Sequence, residues 1–209
     1  AKIVNYSLGF GRFAATPGDE EVAVRRIFEE VVRGSPDVLF VAGVANEDWV
    51  LTESNDAPAG IRRPNVLTVG SSMPCEPERR VPASASGPLV DIVAQGQDIA
   101  LVDFQLGRPA VVDSGTSFAA PQVAAAAAIL WSVDPSLTAA EVRDYLLDYA
   151  RLGPESTAGR FLDVATPVLQ RLLENGSALT EDLDPEENGV TDPPGQVAAR
   201  VCGGSTLAV

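Results

Sequence analysis

The 209-residue sequence predicts an α/β fold, in which a mostly parallel, doubly wound sheet is flanked by helices. Short, continuous apolar runs of strand length alternate with segments that carry helical apolar spacing. One later stretch is apolar almost all round, as a helix in the centre of a molecule must be. Because strand–helix–strand order produces right-handed crossovers, the strands are expected to pair in parallel.

Four segments of the sequence are predicted to be strands. The first, residues 2–8, is rich in β-branched and aromatic side chains. Residues 38–42 form a continuous apolar run, and two further candidates lie at residues 66–69 and 89–93. Such runs are typical of strands that are covered on both faces.

The helices are predicted from apolar spacing and from end signals. The first is amphipathic and lies between Thr16–Pro17 and Gly34–Pro36. Residues 118–130 form the uniformly apolar central helix. A third helix begins with a capping box made by Thr138 and Glu141. The predicted apolar stripes are Val24, Ile27, Phe28 and Val31 in the first helix, and Val142, Tyr145, Leu146 and Tyr149 in the third.

Residues 1–173 are predicted to form one domain, which ends in a shorter helix at residues 163–173, and residues 174–209 a tail. The tail is acidic and contains Gly and Pro, so we expect a linker or a surface-wrapping segment with little core of its own. Residues 184–192 resemble a calcium loop, but Gly195 stands where the bidentate acid is required. A solvated acidic linker is therefore the preferred interpretation.

Composition excludes several kinds of site. Acidic residues outnumber basic ones by 29 to 15, and a net charge of −14 argues against a nucleic-acid-binding face. No apolar run approaches the roughly 20 residues of a membrane span. The chain contains no histidine, so it cannot hold an imidazole base or a complete Ser-His-Asp triad by itself. Cys75 and Cys202 exclude a disulfide-rich scaffold, and spacing alone does not decide whether they form a bridge.

The segment most informative about chemistry is GTSFAAP, residues 115–121. A turn of small residues delivers the Ser117 hydroxyl to the start of the central helix. The helix N-terminus offers unpaired N–H groups and partial positive charge, which favour an oxyanion beside that hydroxyl. Pro121 is expected to be tolerated because it falls near the first turn. From local physics alone, a simple helix cap is the preferred interpretation of Ser117.

Several ordered segments resemble motifs of the subtilisin-like serine proteases, the subtilases. GTSFAAPQVAAAAAIL (residues 115–130) resembles the nucleophile segment, and NYSLG (5–9) the substrate-binding strand. VLFVAGVANED (38–48) resembles the strand that leads to the oxyanion-hole asparagine. NVLTVGSS (65–72) and SASGPLVDIVAQGQDI (84–99) resemble two further signatures. The resemblance covers residues 2 to about 165.

The resemblance implies specific roles. Ser117 would be the nucleophile, and the Asn46 amide together with the Ser117 backbone N–H would stabilise the oxyanion. Two segments would flank the pocket for the substrate side chain and pair with the substrate backbone. These flanking residues are Ser7, Leu8, Gly9, Gly43, Val44 and Ala45. The pocket floor would lie within residues 49–64, where no pattern predicts side-chain preference.

The sequence also departs from the family pattern. Gln122 stands in place of a non-catalytic histidine, and Ala45 in place of the usual glycine. The D-[ST]-G and H-G-T-H segments of the family's first part have no match here, so Ser117 has no general base on this chain. The strand at residues 2–8 would also expose an apolar edge. We therefore expect the C-terminal portion of a catalytic domain, paired with an N-terminal portion that carries Asp and His.

Two functions follow from the resemblance. The first is the nucleophile-bearing portion of a serine endopeptidase that hydrolyses peptide bonds through an acyl-enzyme on Ser117. The alternative is a catalytically inactive subtilase-like module that binds peptides or acts as a scaffold. The expected partners are the N-terminal portion and a peptide or protein substrate, with neither nucleic acid nor membrane. No cofactor is expected, calcium binding through the other portion stays open, and the family implies secretion.

Overall fold

The computed structural model describes residues 1–9, 18–74, 79–103, 108–153 and 159–176. In these residues the chain forms eight strands and four helices. In chain order they are β1 (Ile3–Tyr6), α1 (Asp19–Arg33), β2 (Leu39–Gly43), β3 (Val66–Ser72), β4 (Ile92–Gln95), β5 (Ile99–Asp103), β6 (Arg108–Asp113), α2 (Thr116–Val133), α3 (Ala139–Asp148), β7 (Arg151–Leu152), β8 (Arg160–Phe161) and α4 (Ala165–Glu174).

Six strands form one sheet in the order β1-β2-β3-β4-β8-β7, and β5 pairs with β6 in a separate antiparallel ribbon. All neighbours from β1 to β8 in the large sheet are parallel, and β7 alone runs antiparallel. Every residue of β2 and β3 is buried. The prediction of a mostly parallel α/β sheet is confirmed.

Alternate side chains of the strands enter different layers. Leu39 and Val41 of β2 point towards α2 and α3, whereas Phe40 belongs to a cluster that includes Val32 of α1. The sheet is therefore covered on both faces, as its continuous apolar strands require. Helix α2 occupies the centre of one face and contacts β1, β2, β3 and β4.

Helix α2 can approach the sheet closely because alanines form half of its buried side. Its 18 residues also make it the one helix in the described part of the chain that is long and apolar enough to cross a membrane, judged by length and composition only. Buried core helices share those properties. Its contacts with four strands and two other helices are those of a core helix.

The predicted helices are all present, with corrected details. Helix α1 begins at Asp19, where Gly18 is the N-cap and donates its N–H to the Glu21 carboxylate at 2.8 Å, while Thr16 and Pro17 lie outside the described residues. In α3 the Thr138–Glu141 capping box is confirmed. Of the stripe predicted to be buried in α3, Val142 and Leu146 are buried, but Tyr145 and Tyr149 are half-buried and stack on each other at 5.8 Å.

The apolar stripe of α1 is only partly covered. Phe28 packs edge-on against Tyr6 with ring centroids 5.3 Å apart, and Val32 is buried. Ile27 and Val31 are 64% and 45% exposed. Helix α1 rests on β1 and β2, and β1 is the terminal strand of the sheet among the described residues. One flank of the stripe therefore extends past the edge of the described sheet.

One predicted strand needs a correction, and four strands, β5 to β8, were not predicted. Strand β4 begins at Ile92, not Leu89, because the backbone before it forms a turn in which Val90 donates its N–H to the Gly87 carbonyl at 3.1 Å. The β5–β6 ribbon was not predicted. Most of the tail, Cys75 and Cys202 lie outside the described residues, so the domain division and the cysteine pairing stay predictions.

Candidate active site

The parallel pairing of β1 and β2 brings their carboxyl ends to one edge of the sheet. Residues 7–9 follow β1, and residues 44–46 follow β2. Helix α2 begins at the same edge, because Gly115 donates its N–H to the Gly96 carbonyl after β4 (2.7 Å). These segments enclose a cleft of about 180 Å³. Its lining residues are Ser7, Leu8, Gly9, Gly43, Val44, Ala45, Asn46, Glu47, Asp56, Thr116 and Ser117.

The structure thus places all eight residues assigned by the family resemblance in one cleft. Residues far apart in sequence meet there because each follows the carboxyl end of a parallel strand or begins the helix above them. This is the position at which open α/β sheets bind ligands. Glu47, Asp56 and Thr116 also line the cleft and were not among the predicted site residues.

Asn46 is oriented by the first residue of α2. Its Oδ1 accepts the Thr116 backbone N–H at 2.8 Å. Because a backbone N–H can only donate, this contact leaves the Asn46 Nδ2 group as a donor for another acceptor. The Thr116 hydroxyl donates to the Val44 carbonyl, which anchors the helix to the segment after β2. A Cβ on Gly115 would lie 3.2 Å from Asn46 Nδ2, so the amide needs a small neighbour there.

Ser117 and Ser7 form a reciprocal pair of hydrogen bonds. The Ser117 hydroxyl donates to the Ser7 carbonyl at 3.1 Å, and the Ser7 hydroxyl donates to the Ser117 carbonyl at 2.9 Å. Asn5 Nδ2 in turn donates to the Ser7 hydroxyl at 2.8 Å. The hydroxyl of Ser117 is therefore engaged by a carbonyl oxygen and not by a base.

The alternative in which Ser117 merely caps a core helix is wrong. The N-cap of α2 is Gly115, which makes no side-chain cap, and Ser117 is the second helical residue. Backbone N–H groups of a first turn have no intrahelical acceptor. Ser117 therefore brings a hydroxyl and an N–H donor to the same point of the cleft.

The explanation expected for Pro121 also needs correction. Pro121 is the sixth residue of α2 and lies beyond the first turn. A proline there removes the donor that would otherwise bond the carbonyl four residues earlier, which belongs to Ser117. The hydroxyl of Ser7, which directly follows β1, supplies that missing donor. The proline is tolerated because a tertiary hydrogen bond replaces the helical one.

Asp56 is the most unusual titratable group of the cleft. Its side chain is buried, with the residue only 1% exposed, and Oδ1 has no hydrogen-bond partner in the described part of the chain. Burial raises the pKa of Asp56 to about 6, although hydrogen bonds from the backbone of Ala57 and Ala45 oppose the shift. Asp56 lies within residues 49–64, where the pocket floor was expected. Irregular backbone gives no periodicity that shows which side chain points inward.

No group of three or more His, Cys, Asp or Glu side chains suited to a metal ion occurs among the residues that the structure describes. The acidic segment at residues 184–195 lies outside them. The expectations about calcium and cofactors therefore stay predictions.

A serine hydroxyl and a side-chain amide at the start of a helix, beside the carboxyl edge of a parallel sheet, are the parts of a serine hydrolase site. The family model described as the subtilase family, peptidase S8, matches residues 1–182. The chain belongs to the subtilase family of serine proteases.

Known relatives agree with this assignment. The subtilase-type proteinase psp3 of Schizosaccharomyces pombe is 32% identical over 152 residues, which cover 72% of this chain and 30% of that protein. Subtilisin-like protease 1 of Trichophyton rubrum is 32% identical over 176 residues, covering 84% of this chain and 30% of that protein. The chain thus spans about a third of the length of these relatives.

Two solved structures share the fold. A cold adapted subtilisin-like serine proteinase superposes with a TM-score of 0.60 at 27% identity, over 77% of this chain and 54% of that one. A protease of Pseudoalteromonas arctica PAMC 21717 gives a TM-score of 0.58 over 82% of this chain and 51% of that one. At 22% identity the second comparison supports the fold alone.

Proposed function

We propose that this chain is the nucleophile-bearing portion of a serine endopeptidase and that the Asp and His of the triad come from an N-terminal portion outside it. The observation that carries the proposal is the meeting of Ser117 and Asn46 at one cleft. Asn46 is held by its Oδ1, so its Nδ2 is available as an oxyanion donor.

The chemistry would proceed through an acyl-enzyme. Ser117 Oγ attacks the peptide carbonyl carbon while an imidazole of the other portion accepts the hydroxyl proton. Asn46 Nδ2 and the Ser117 N–H stabilise the negative oxygen of the tetrahedral intermediate. The imidazolium then donates the proton to the leaving amine, and water hydrolyses the ester on Ser117. For this sequence Ser117 Oγ must exchange its bond to the Ser7 carbonyl for one to the imidazole.

The open edge of β1 supports the need for another portion. Strand β1 pairs only with β2 in the described sheet, and the neighbouring α1 leaves Ile27 and Val31 exposed. Further strands from an N-terminal portion would pair with the open edge and cover the adjoining apolar surface. Secretion of the assembled protease is also a proposal, based on the family resemblance.

The test uses the intact protein, meaning this chain together with the histidine-bearing polypeptide. A fluorophosphonate probe is expected to label Ser117, as peptide mass spectrometry would show, and Ser117→Ala should abolish both labelling and peptide hydrolysis. Asn46→Ala should lower kcat by about 100- to 1,000-fold. Ser114→Ala is the matched control, since Ser114 is a nearby hydroxyl that accepts the Asp98 N–H at 3.0 Å. Hydrolysis that survives Ser117→Ala would refute the proposal.

Two observations favour the alternative of an inactive peptide-binding module: the chain has no histidine, and the Ser117 hydroxyl is bound to a carbonyl. This alternative predicts that the intact protein binds peptides in the cleft without cleaving them. Peptide binding without hydrolysis or Ser117 labelling, under conditions in which the protein is folded, would establish it.

A further inference from the structure

We propose that Asp56 selects substrates with a cationic side chain, lysine or arginine, at the residue whose carbonyl is attacked. This inference deepens the proposed function and rests on it for the identity of the cleft. It names the substrate class that the family resemblance left open.

Asp56 lies where the end of a substrate side chain would reach. It lines the same cleft as Ser117, together with the two segments expected to flank the substrate side chain. The segments are residues 7–9 and 43–45, and they present backbone and mostly small side chains to the cleft. A long, unbranched side chain can lie between such walls with its end directed towards Asp56.

One oxygen of the buried Asp56 carboxyl lacks a hydrogen-bond donor among the described residues. Although the residue is only 1% exposed, Oδ1 has no hydrogen-bond donor in the described part of the chain. A buried carboxylate oxygen without a partner is costly, and a charged donor is its strongest partner. A substrate ammonium or guanidinium would complete a site that the protein leaves incomplete.

The charged side chains that line the cleft are acidic. Its described lining contains two carboxylates, Glu47 and Asp56, and no basic side chain. Arg25 is not part of this lining; its Nε pairs with Glu29 at 2.8 Å, its Nη2 donates to the Gly60 carbonyl at 3.5 Å, and its Nη1 has no partner among the described residues. No described lining cation therefore competes with a basic substrate side chain for Asp56. The net charge of −14 adds long-range attraction for cationic peptides.

The test measures kcat/KM of the intact protein for peptides that differ only at this residue, which is Arg, its neutral isostere citrulline, or Leu. Arginine is expected to exceed citrulline by about 10- to 100-fold. Asp56→Asn should bring that ratio close to one while the Leu peptide is still cleaved. Asp48→Asn is the matched control, because it removes the same charge from a side chain outside the cleft lining that is 74% exposed. The control should keep the arginine preference.

The outcomes separate this inference from the proposed function. Hydrolysis that shows no arginine preference, or an unchanged ratio in Asp56→Asn, overturns the role of Asp56 and leaves the protease intact. If no peptide is cleaved, binding to the intact Ser117→Ala protein decides. Tighter binding of a peptide ending in Arg than in citrulline, lost in Asp56→Asn, supports the inference without protease activity. Equal binding of the two peptides overturns it.

Discussion

At the scale of single residues, the start of α2 is held by groups from other elements. Thr116 bonds to Asn46 and Val44, and Ser117 exchanges two hydrogen bonds with Ser7. The Ser7 hydroxyl stands in for the N–H that Pro121 lacks. The helix that carries the candidate nucleophile is thus positioned by the ends of β1 and β2.

Ser7→Ala is expected to lower the free energy of unfolding by about 1 to 2 kcal/mol, because the Ser117 carbonyl loses its donor. Pro121→Ala supplies a helical N–H to the same carbonyl, so it should recover part of the loss in the double variant. Urea denaturation of the wild type, the two single variants and the double variant, analysed as a double-mutant cycle, measures this coupling. If the changes in unfolding free energy caused by Ser7→Ala and Pro121→Ala simply add in the double variant, the two residues do not act on the same Ser117 carbonyl.

Asp56 makes stability depend on pH. Its pKa of about 6 in the folded chain lies above the ordinary value of 3.8, so the folded state binds the proton more tightly. The free energy of unfolding should therefore fall as pH rises from about 4 through 6. Asp56→Asn removes this contribution and should stabilise the chain at pH 7.5 by up to about 3 kcal/mol.

The measurement is the difference between the unfolding free energies of wild type and Asp56→Asn at several pH values. Subtraction cancels the contributions of other titrating groups. Asp48→Asn, at a side chain that is 74% exposed, serves as the control. If the free energies of unfolding of wild type and Asp56→Asn change with pH in parallel, the raised pKa of Asp56 is contradicted.

At the scale of elements, Asp91 joins three parts of the fold. Its carboxylate accepts the Thr68 N–H of β3 (2.9 Å), Arg62 (3.1 Å) and Arg143 of α3 (2.9 Å). The carboxylate is largely buried and sits immediately before β4. Asp91 lies within residues 84–99, which resemble a family signature, and it links β3 to α3 and to the loop that carries Arg62.

Asp91→Ala is expected to cost about 3 kcal/mol, because two arginines and a buried N–H lose their common acceptor. Asp144→Ala is the matched control, since Asp144 also pairs with Arg143 but its side chain is 64% exposed. That pair should contribute less than about 1 kcal/mol. Equal losses in chemical denaturation would show that burial does not distinguish the two pairs.

Several elements could be predicted because their signals are local. The uniformly apolar α2 and the Thr138 capping box depend on residues close in sequence. The β5–β6 ribbon was missed because its pairing joins segments without a strong alternating pattern. Asp56 was missed because only the tertiary path of residues 49–64 turns its side chain into the cleft.

At the scale of the whole molecule, β1 is the edge of the described sheet while β3 lies in its middle. Edge amides that face away from β2 have no strand partner in the described fold. The amides of Ile3–Tyr6 should therefore exchange with solvent much faster than those of Val66–Ser72, on the order of 100-fold. Hydrogen exchange of this chain alone measures the ratio.

Binding of the proposed histidine-bearing portion should slow exchange in β1 and leave β3 nearly unchanged. Strand β2 is the internal control, because it has a parallel neighbour on each side. Equal protection of β1 and β3 in this chain alone would mean that the edge is already covered. Unchanged β1 exchange in the intact protein would contradict strand pairing between the portions.

The sequence alone determined the α/β class, the order of the main strands and helices, and the segments that carry Ser117 and Asn46. These depend on apolar periodicity, capping residues and motifs, all of which act over short distances along the chain. Only the tertiary structure decided how Ser7 compensates for Pro121 and that Asp56 enters the cleft unpaired. Those features arise where parallel strands bring distant loops to one edge, and no local pattern encodes that meeting.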